Sequence, residues 1–213
     1  MFVKDVMTTN VVTIPSSTSI ADAKRIMKAH KFRRLPVVDK GKLVGIVTEH
    51  RLESVSPSKA TSLSVWEVGY LLEKTTVKEI MEKHITTVSP DMTVEEAIAC
   101  AQANKVGALI VLENGRVEGI LTTNDVFYKI VNKVLGIGKP GTRIEVTGAG
   151  EGKALEQVVS CVNEQGLKIV TLHVVAPPEK GKNNLIVHVD TEDVTKLVDE
   201  LKGKGYAVSV RSR

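Results

Sequence analysis

Apolar and polar positions follow a pattern that occurs twice in the first 135 residues. In each copy a polar residue with an acidic residue three positions later, Ser19 with Asp22 and Thr93 with Glu96, begins a segment whose apolar residues recur at helical spacing. A short apolar strand, a glycine-containing turn, a second strand and a second helix come next. Together with a strand before the first helix, the pattern predicts a β-α-β-β-α unit in each copy.

The two copies keep a constant offset of 74 residues, without a gap, for about fifty positions. Identical pairs at this offset include Val3/Val77, Met7/Met81, Thr13/Thr87, Ala23/Ala97, Leu35/Leu109, Gly41/Gly115, Gly45/Gly119, Ile46/Ile120 and Thr48/Thr122. Such a duplication predicts two units that pack about a pseudo-twofold axis, each covering the sheet that the other leaves exposed.

The segment between the copies predicts a linker with structure of its own. Ser56, Pro57 and Ser58 indicate a turn, and residues 61–72 predict a short apolar helix that carries Trp66, the only tryptophan. We expect this linker to dock on the copies rather than to be flexible.

A different pattern begins after the glycine-rich segment 136–141. Strands alternate with helices at 153–165 and 192–202 in the order β-α-β-β-α-β, which is typical of a ferredoxin-like domain. The apolar face of the first helix carries Leu155, Val158, Val159 and Val162, and Gly166 and Gly203 lie where helices are expected to end.

Alternation in residues 185–189 predicts that the two helices of this domain cover one face of its sheet. We expect the opposite face, including Val187 and Val174, to need a partner, and therefore to add a self-association surface.

Two glycine runs resemble nucleotide-binding loops but lack the required context. Residues 136–141 spell G-x-G-x-x-G, yet they follow a helix and precede a strand, the reverse of a dinucleotide fingerprint, and we expect a hinge there. Residues 148–154 resemble a phosphate loop, but Thr147 stands in the first glycine position and Ala154 replaces the Mg²⁺-binding hydroxyl residue.

Composition limits the class of protein. A net charge of +4 from scattered Lys and Arg disfavours a nucleic-acid binder, and the absence of a long apolar run predicts a cytoplasmic protein without membrane contact. Cys100 and Cys161 stand in apolar helical patterns, so buried reduced thiols are expected. The five histidines share no metal spacing, and we predict no metal site.

The duplicated unit ends in GIVTEHR (45–51) and GILTTND (119–125), and with these motifs residues 1–135 resemble the CBS-domain family. Followed by an ACT-like domain, and with the linker SPSKATSLSVWEVGYLL, the chain looks like the acetoin utilization protein B group. The resemblance implies an α+β fold: CBS repeat 1 with its linker helix (1–73), CBS repeat 2 (74–135) and a ferredoxin-like ACT-type domain (141–213).

The resemblance also implies a composite ligand pocket. In the family, the Asp of the second motif, here Asp125, binds the ribose diol, and the Thr, here Thr122, meets a phosphate together with helix N–H groups. The other copy supplies the adenine-facing edge. The implied binding residues are Thr13, Phe32, Arg33, Arg34, Ile120, Thr122 and Asp125.

The first motif departs from the family, since Arg51 replaces the Asp and removes the diol acceptor. We expect Arg51 to place a cation in the cleft, and the mirror pocket of Thr87, Val106 and Gly107 with Thr48 and Arg51 to be degraded. Alternatives stay open: Arg51 could reach a phosphate or form a surface ion pair, Asp125 could be only a helix cap, and Arg33 and Arg34 could be solvated charges.

The predicted function is that of a non-catalytic regulatory sensor that requires no cofactor and binds AMP, ADP or ATP in the CBS-pair cleft. Alternatives are S-adenosylmethionine or another adenosyl ligand, a structural dimerisation module, and a small hydrolase using His50 and Asp125. We expect a homodimer through the CBS pair, with the ACT-like domain as a second candidate surface, and a regulated protein that the sequence does not name. Whether the ACT-like domain binds an amino acid stays open.

Overall fold

The computed structural model of the protein describes residues 1–55, 64–177 and 181–211. The chain forms two compact units, unit 1 (Met1–Phe127) and unit 2 (Tyr128–Arg213). Among the helices of the described residues, none combines the length and apolar character that a membrane span requires.

The first copy in unit 1 is built around a two-stranded hairpin. Its elements are α1 (Ile20–His30), β1 (Arg34–Asp39), β2 (Lys42–Thr48) and α2 (Glu49–Ser54). Ser19 caps α1, because its hydroxyl accepts a hydrogen bond from the Asp22 backbone at 3.0 Å. Lys40 and Gly41 both have positive φ, the geometry that joins two antiparallel strands in a tight hairpin.

The second copy repeats this arrangement and adds one strand. Its elements are β3 (Thr87–Val88), α4 (Val94–Ala103), β4 (Ala108–Glu113) and β5 (Arg116–Thr122), with strand order β3-β4-β5. The predicted capping box of Thr93 and Glu96 is present in full. The helical segment after β5 begins as α5 (Thr123–Asp125), continues as a π-helix (Val126–Val131) and ends as α6 (Asn132–Val134). Unit 1 ends within this segment, at Phe127, earlier than the predicted end of copy two at residue 135.

The predicted first strand of copy one is reduced to a single parallel bridge between Ile14 and Val37. In copy two, the Ile110 N–H donates to the Thr86 carbonyl and extends the pairing of β3. The equivalent of Ile110 in copy one is Pro36, which has no N–H to donate. Because Pro36 lacks this N–H, copy one forms a single bridge where copy two forms the strand β3.

The two copies exchange their N-terminal segments. Residues 1–8 cross onto copy two, where the Val3 N–H bonds to the Met92 carbonyl and Thr8 pairs with Ile120. Residues 75–82 cross in the opposite direction, and Val77 and Ile80 belong to the core of copy one. Each copy is therefore completed by a segment that its own sequence repeat does not contain.

The linker helix is α3 (Val65–Lys74), and the first part of the predicted helix and the predicted turn at 56–58 lie outside the described residues. Leu72 packs against the core of copy one. The expectation of a docked linker is wrong for the tryptophan, because Trp66 is 88% exposed. Only the helix face of Val68 and Leu72 is turned inward, and Trp66 lies outside it.

From residue 142 on, the described part of unit 2 folds as a four-stranded antiparallel sheet on which two helices pack. Its elements are β6 (Thr142–Val146), α7 (Gly152–Glu164), β7 (Ile169–Val175), β8 (Asn184–Val189), α8 (Thr195–Gly203) and β9 (Val208–Arg211). The spatial strand order is β7-β8-β6-β9. Apolar residues of the sheet and of both helices form one buried core, which includes Val146, Val158, Val162 and Leu201.

The expected apolar self-association face of this sheet is not observed, because Val187 is fully buried in the core under the helices. Alternation along β8 turns Ile186 and His188 to the other face, and the register pairs them there with Glu145 and Arg143. Val174 is 48% exposed, but it pairs with Leu185 on the core side of the sheet, near the strand end. The helix-free face is thus more polar than predicted.

Two predicted helix boundaries shift for local reasons. Helix α8 begins at Thr195 rather than at 192, since residues 193–195 form an Asx turn in which the Asp193 carboxylate accepts a hydrogen bond from the Thr195 N–H at 3.0 Å. Gly203 is still helical, and Gly205, with φ of +89°, takes the left-handed conformation after the helix.

The glycine turn at 148–150 is held by the neighbouring strand. The Gly148 N–H donates to the Asn184 side chain at 3.0 Å, and the Gly150 N–H donates to the Asn183 carbonyl at 2.7 Å. These N–H groups are engaged within the protein, as in a tight structural turn.

Candidate functional site

A cleft of about 690 Å³ opens in unit 1 where the two motif segments approach each other. This volume lies in the range of sites for small ligands. Copy one contributes the residues that follow α1 and the start of α2, and copy two contributes the end of β5 and α5. The crossing segment contributes its last residue, Thr8, and residues 10–12 follow it in the lining. The lining residues are Thr8, Asn10, Val11, Val12, Lys31, Phe32, Arg33, Arg34, Thr48, Glu49, His50, Ile120, Thr122, Thr123, Asn124 and Asp125.

Asp125 is a nearly buried carboxylate in this lining, with 7% of its surface exposed. One carboxylate oxygen, Oδ2, accepts hydrogen bonds from the backbone and the hydroxyl of Thr122, at 2.9 and 2.6 Å. The other oxygen, Oδ1, accepts a hydrogen bond from the Thr8 hydroxyl at 2.9 Å. A buried carboxylate needs such donors, and these hydrogen bonds help to set its orientation.

The Thr122 hydroxyl is part of the same arrangement. It accepts a hydrogen bond from the Asp125 N–H at 3.3 Å and donates its single proton to the Asp125 carboxylate. Thr122 and Asp125 thus form a reciprocal capping box at the start of α5. Because that proton is committed to Asp125, the hydroxyl does not donate to a phosphate in this conformation.

The cations in the lining follow the end of α1. Lys31 ends that helix in a left-handed conformation with φ of +56°, and Arg33 and Arg34 come directly after it. The Arg33 guanidinium is 3.8 Å from Glu49, which at their exposure is a weak ion pair. Lys31, Arg33 and Arg34 outnumber the lining acids Glu49 and Asp125, so the cleft favours an anion.

The guanidinium of Arg34 lies beside Gly107 of copy two. A Cβ built on Gly107 would lie 3.0 Å from Arg34 Nη2. Gly107 is the equivalent of Arg33 at the 74-residue offset, so the small residue of copy two leaves room for the large cation of copy one. Phe32, between Lys31 and the arginines, stacks on His30 with ring centroids 5.3 Å apart.

Most of the residues expected in the pocket lie together. Phe32, Arg33, Arg34, Ile120, Thr122 and Asp125 all line the cleft. Thr13 does not, because it is an exposed residue that follows the last lining residue of this segment, Val12.

The expected cation of the first motif is also displaced from the cleft. Arg51 is not among the lining residues, and its Nε donates to the Ile80 carbonyl at 3.2 Å, on the segment that crosses from copy two. Of the expected mirror pocket only Thr48 lines the cleft, whereas Thr87, Val106 and Gly107 do not. His50 lines it, as its place in the motif indicates.

The sequence did not predict the contribution of Thr8, at the end of the crossing segment, or of Asn10, Val11 and Val12, which follow it. Thr8 and Asp125 are 117 residues apart, and their contact depends on the exchange between the copies. The sequence does contain a sign of this segment, because residues 4–8 (KDVMT) match residues 78–82 at the 74-residue offset. A similar segment therefore precedes the first strand of each copy. Among the described residues, no group of three or more His, Cys, Asp or Glu is arranged to hold a metal ion.

Comparison with protein families shows what the duplicated part resembles. The model of the CBS domain matches residues 3–56 and 77–132. Inosine-5′-monophosphate dehydrogenase of Korarchaeum cryptofilum is 36% identical over 121 residues, which are 56% of this chain and 22% of that protein. L-aspartate semialdehyde sulfurtransferase of Methanocaldococcus jannaschii is 33% identical over 128 residues, 58% of this chain and 22% of that protein. The chain therefore matches only about a fifth of these two relatives' length.

Solved structures also resemble part of the chain. A putative acetoin utilization protein from Vibrio cholerae has a TM-score of 0.53 at 28% identity, over 66% of this chain and 98% of that one. The CBS-domain pair of protein MJ0100, in complex with 5′-methylthioadenosine and S-adenosyl-L-methionine, has a TM-score of 0.51 at 27% identity, over 62% and 98%. CBSX2 in complex with AMP has a TM-score of 0.50 at 27% identity, over 62% and 96%.

Proposed function

Because the chain belongs to the CBS-domain family, we propose that residues 1–135 form a regulatory sensor that binds an adenine nucleotide and catalyses no reaction. One observation carries the proposal: the cleft between the copies combines a fixed, nearly buried carboxylate with an excess of cationic side chains. A nucleotide has the matching chemistry, since a ribose diol donates hydrogen bonds to a carboxylate and a phosphate attracts guanidinium groups.

The roles follow from the chemistry of each lining residue. Asp125 accepts hydrogen bonds from the ribose hydroxyls, and Arg33 and Arg34 bind the phosphate, to which guanidinium groups can donate in pairs. Phe32 and the apolar side chain of Ile120 offer surface to the adenine ring. The ligand thereby touches both copies, and its differential affinity for two arrangements of the copies is what would transmit a signal.

The alternative ligand within the same class is S-adenosylmethionine or a related adenosyl compound. Protein MJ0100 holds 5′-methylthioadenosine and S-adenosyl-L-methionine, and CBSX2 holds AMP, so both classes occur among the similar structures. The charge of this cleft favours the phosphate, because S-adenosylmethionine carries a cationic sulfonium that Lys31, Arg33 and Arg34 would repel.

We propose further that residues 141–213 form an ACT-like ferredoxin-like domain, following CBS repeats at 1–73 and 74–135. The β-α-β-β-α-β order and the strand order β7-β8-β6-β9 support this assignment. The proposal also includes that the chain forms a homodimer and that it regulates a separate protein. The alternative is a CBS pair that only dimerises and binds no nucleotide.

Calorimetric titration of the full chain tests the nucleotide proposal. We expect AMP to bind more tightly than adenosine, and the Arg34→Ala variant to lose most of this difference because adenosine has no phosphate for the guanidinium. Arg25→Ala is the matched control, since Arg25 is a surface arginine on α1 paired with Asp22, away from the lining. No heat with AMP, ADP, ATP or S-adenosylmethionine would leave the dimerisation module as the function.

A further inference from the structure

Thr8 lines the cleft, although it lies outside the motif of copy two and outside the helices and strands of copy one. It is near the end of the crossing segment, and its backbone pairs with Ile120 through two hydrogen bonds of 2.9 and 3.0 Å. The preceding residue, Met7, packs its sulfur against Gly119. These contacts hold the Thr8 side chain at a defined place beside α5.

The Thr8 hydroxyl donates to Asp125 Oδ1, while Thr122 binds Oδ2. Donors from two different segments therefore hold the two oxygens of the same carboxylate. Without the hydrogen bond from Thr8, the carboxylate of Asp125 could rotate more freely about its Cβ–Cγ bond. A carboxylate that must accept hydrogen bonds from two adjacent ribose hydroxyls binds them less tightly when its orientation is not fixed.

At the mirror position, both partners of this hydrogen bond are replaced by other residues. At the 74-residue offset Thr8 corresponds to Glu82 and Asp125 corresponds to Arg51. Glu82 makes the same backbone pairing, with two hydrogen bonds of 2.9 Å to Ile46, so the segments are placed alike. Arg51 donates to the Ile80 carbonyl, and the hydroxyl-to-carboxylate hydrogen bond occurs on the Asp125 side of the pair.

We propose that Thr8 is a positioning residue that orients Asp125 for the ribose diol, so that the crossing segment of copy one sets the preference for ribose over deoxyribose in the site of copy two. This inference rests on the proposed nucleotide function. It assigns to Thr8 an effect on ligand selectivity that a residue with only a packing role does not have.

The test compares AMP with its 2′-deoxy and 3′-deoxy analogues by calorimetry on the full chain. The wild type binds AMP more tightly than either analogue. Thr8→Val keeps the shape but removes the hydroxyl, and it weakens AMP about fivefold, the effect of one hydrogen bond of ordinary net strength, while the analogues change little. Thr8→Ser restores the selectivity. Thr9→Val is the matched control, because Thr9 is the neighbouring exposed threonine outside the lining.

A double substitution distinguishes an effect through the carboxylate of Asp125 from an effect on packing. In an Asp125→Asn background, Thr8→Val has no further effect on selectivity if it acts through the carboxylate. Equal weakening of AMP and of both analogues by Thr8→Val, or unchanged selectivity, overturns the inference and leaves nucleotide binding intact. If the wild type binds AMP no more tightly than the two deoxy analogues, the inference about Thr8 fails and the proposed nucleotide function stands. A wild type that binds no adenosyl ligand removes the proposed function and this inference together.

Discussion

At the scale of single residues, Asp125 combines two tasks that are often separate. It closes a capping box with Thr122 at the start of α5, and it presents a nearly buried carboxylate to the cleft. The two candidate roles that the sequence left open, helix cap and ligand acceptor, are therefore compatible in one side chain. The capping role predicts that its substitution affects stability as well as binding.

We expect Asp125→Ala to abolish most nucleotide binding and to lower the free energy of unfolding by about 1 kcal/mol, the usual cost of a lost cap. Arg51→Ala is expected to leave binding nearly unchanged, because Arg51 bonds to the Ile80 carbonyl and lies outside the lining. Titration calorimetry and urea unfolding measure the two effects. Equal loss of binding in both variants would show that Arg51 contacts the ligand directly.

Cys161 provides a residue-scale prediction in unit 2. It is 2% exposed, and burial, followed by the hydrogen bond and charge of Glu200, raises the pKa of its thiol to about 11. Since the folded thiol stays protonated where the unfolded one begins to ionise, its contribution to the free energy of unfolding is complete below about pH 9 and is lost as the pH rises towards 11.

The expected outcome is slow labelling of Cys161 by a disulfide reagent at pH 8, limited by opening of the structure. The half-buried Cys100 is expected to react faster and serves as the internal comparison. Mass spectrometry of timed samples distinguishes the two sites. Equal rates at both cysteines would contradict the burial argument.

Residues within a motif could be predicted from the sequence, whereas residues that meet through the exchange could not. Asp125 and Thr122 lie in one short segment whose spacing already defines a capping box. Thr8 reaches them only through tertiary structure. Val187 was misplaced for a related reason, since alternation identifies two faces of a strand but not which of them the helices cover.

At the scale of elements, the fit between crossing segment and sheet depends on a glycine in each copy. A Cβ at Gly119 would lie 2.5 Å from the Met7 sulfur and 3.1 Å from the Thr8 carbonyl oxygen. At Gly45 the atoms nearest to such a Cβ belong to the side chain of Met81, whose sulfur is also at 2.5 Å. Of the two glycines, Gly119 is the one beside the segment that leads into the lining of the cleft, through Thr8.

We therefore expect Gly119→Ala and Gly45→Ala each to lower the free energy of unfolding by about 1–3 kcal/mol, as overpacked sites do, but only Gly119→Ala to weaken nucleotide binding as well. Urea unfolding and calorimetry give the two readouts. Adding Met7→Ala to Gly119→Ala removes part of the crowding and should recover stability. Loss of binding in Gly45→Ala to the same degree would show a general effect of instability.

The helices and hairpins were predictable because caps, glycine turns and apolar spacing act locally. Ser19 and Thr93 cap the predicted helices, and the predicted turns at Gly41 and Gly115 have positive φ. The missing strand in copy one was not predicted, because the pattern of apolar residues is the same in both copies. It depends on the partner strand, where Pro36 replaces a donor.

At the scale of the whole molecule, ligand binding and stability are linked by mass action. A nucleotide at about 100 times its Kd is expected to stabilise unit 1 by roughly 2.7 kcal/mol, provided that the unfolded chain does not bind it. Scanning calorimetry with and without AMP measures the resulting rise in melting temperature. The Asp125→Asn variant is the control and should show little rise. An unchanged wild-type melting curve at millimolar AMP would argue against a nucleotide site.

The exchange of N-terminal segments also has a consequence for synthesis on the ribosome. Copy one emerges first, yet its core includes Val77 and Ile80, which are translated only after the linker helix. Val3 and Val6, made at the start, stay without their burial site until copy two is complete. Copy one can close only after residues 75–82 have been made, and a nascent chain stopped within copy two exposes Val3 and Val6 together with the unfinished core of copy two, the kind of species that chaperones bind.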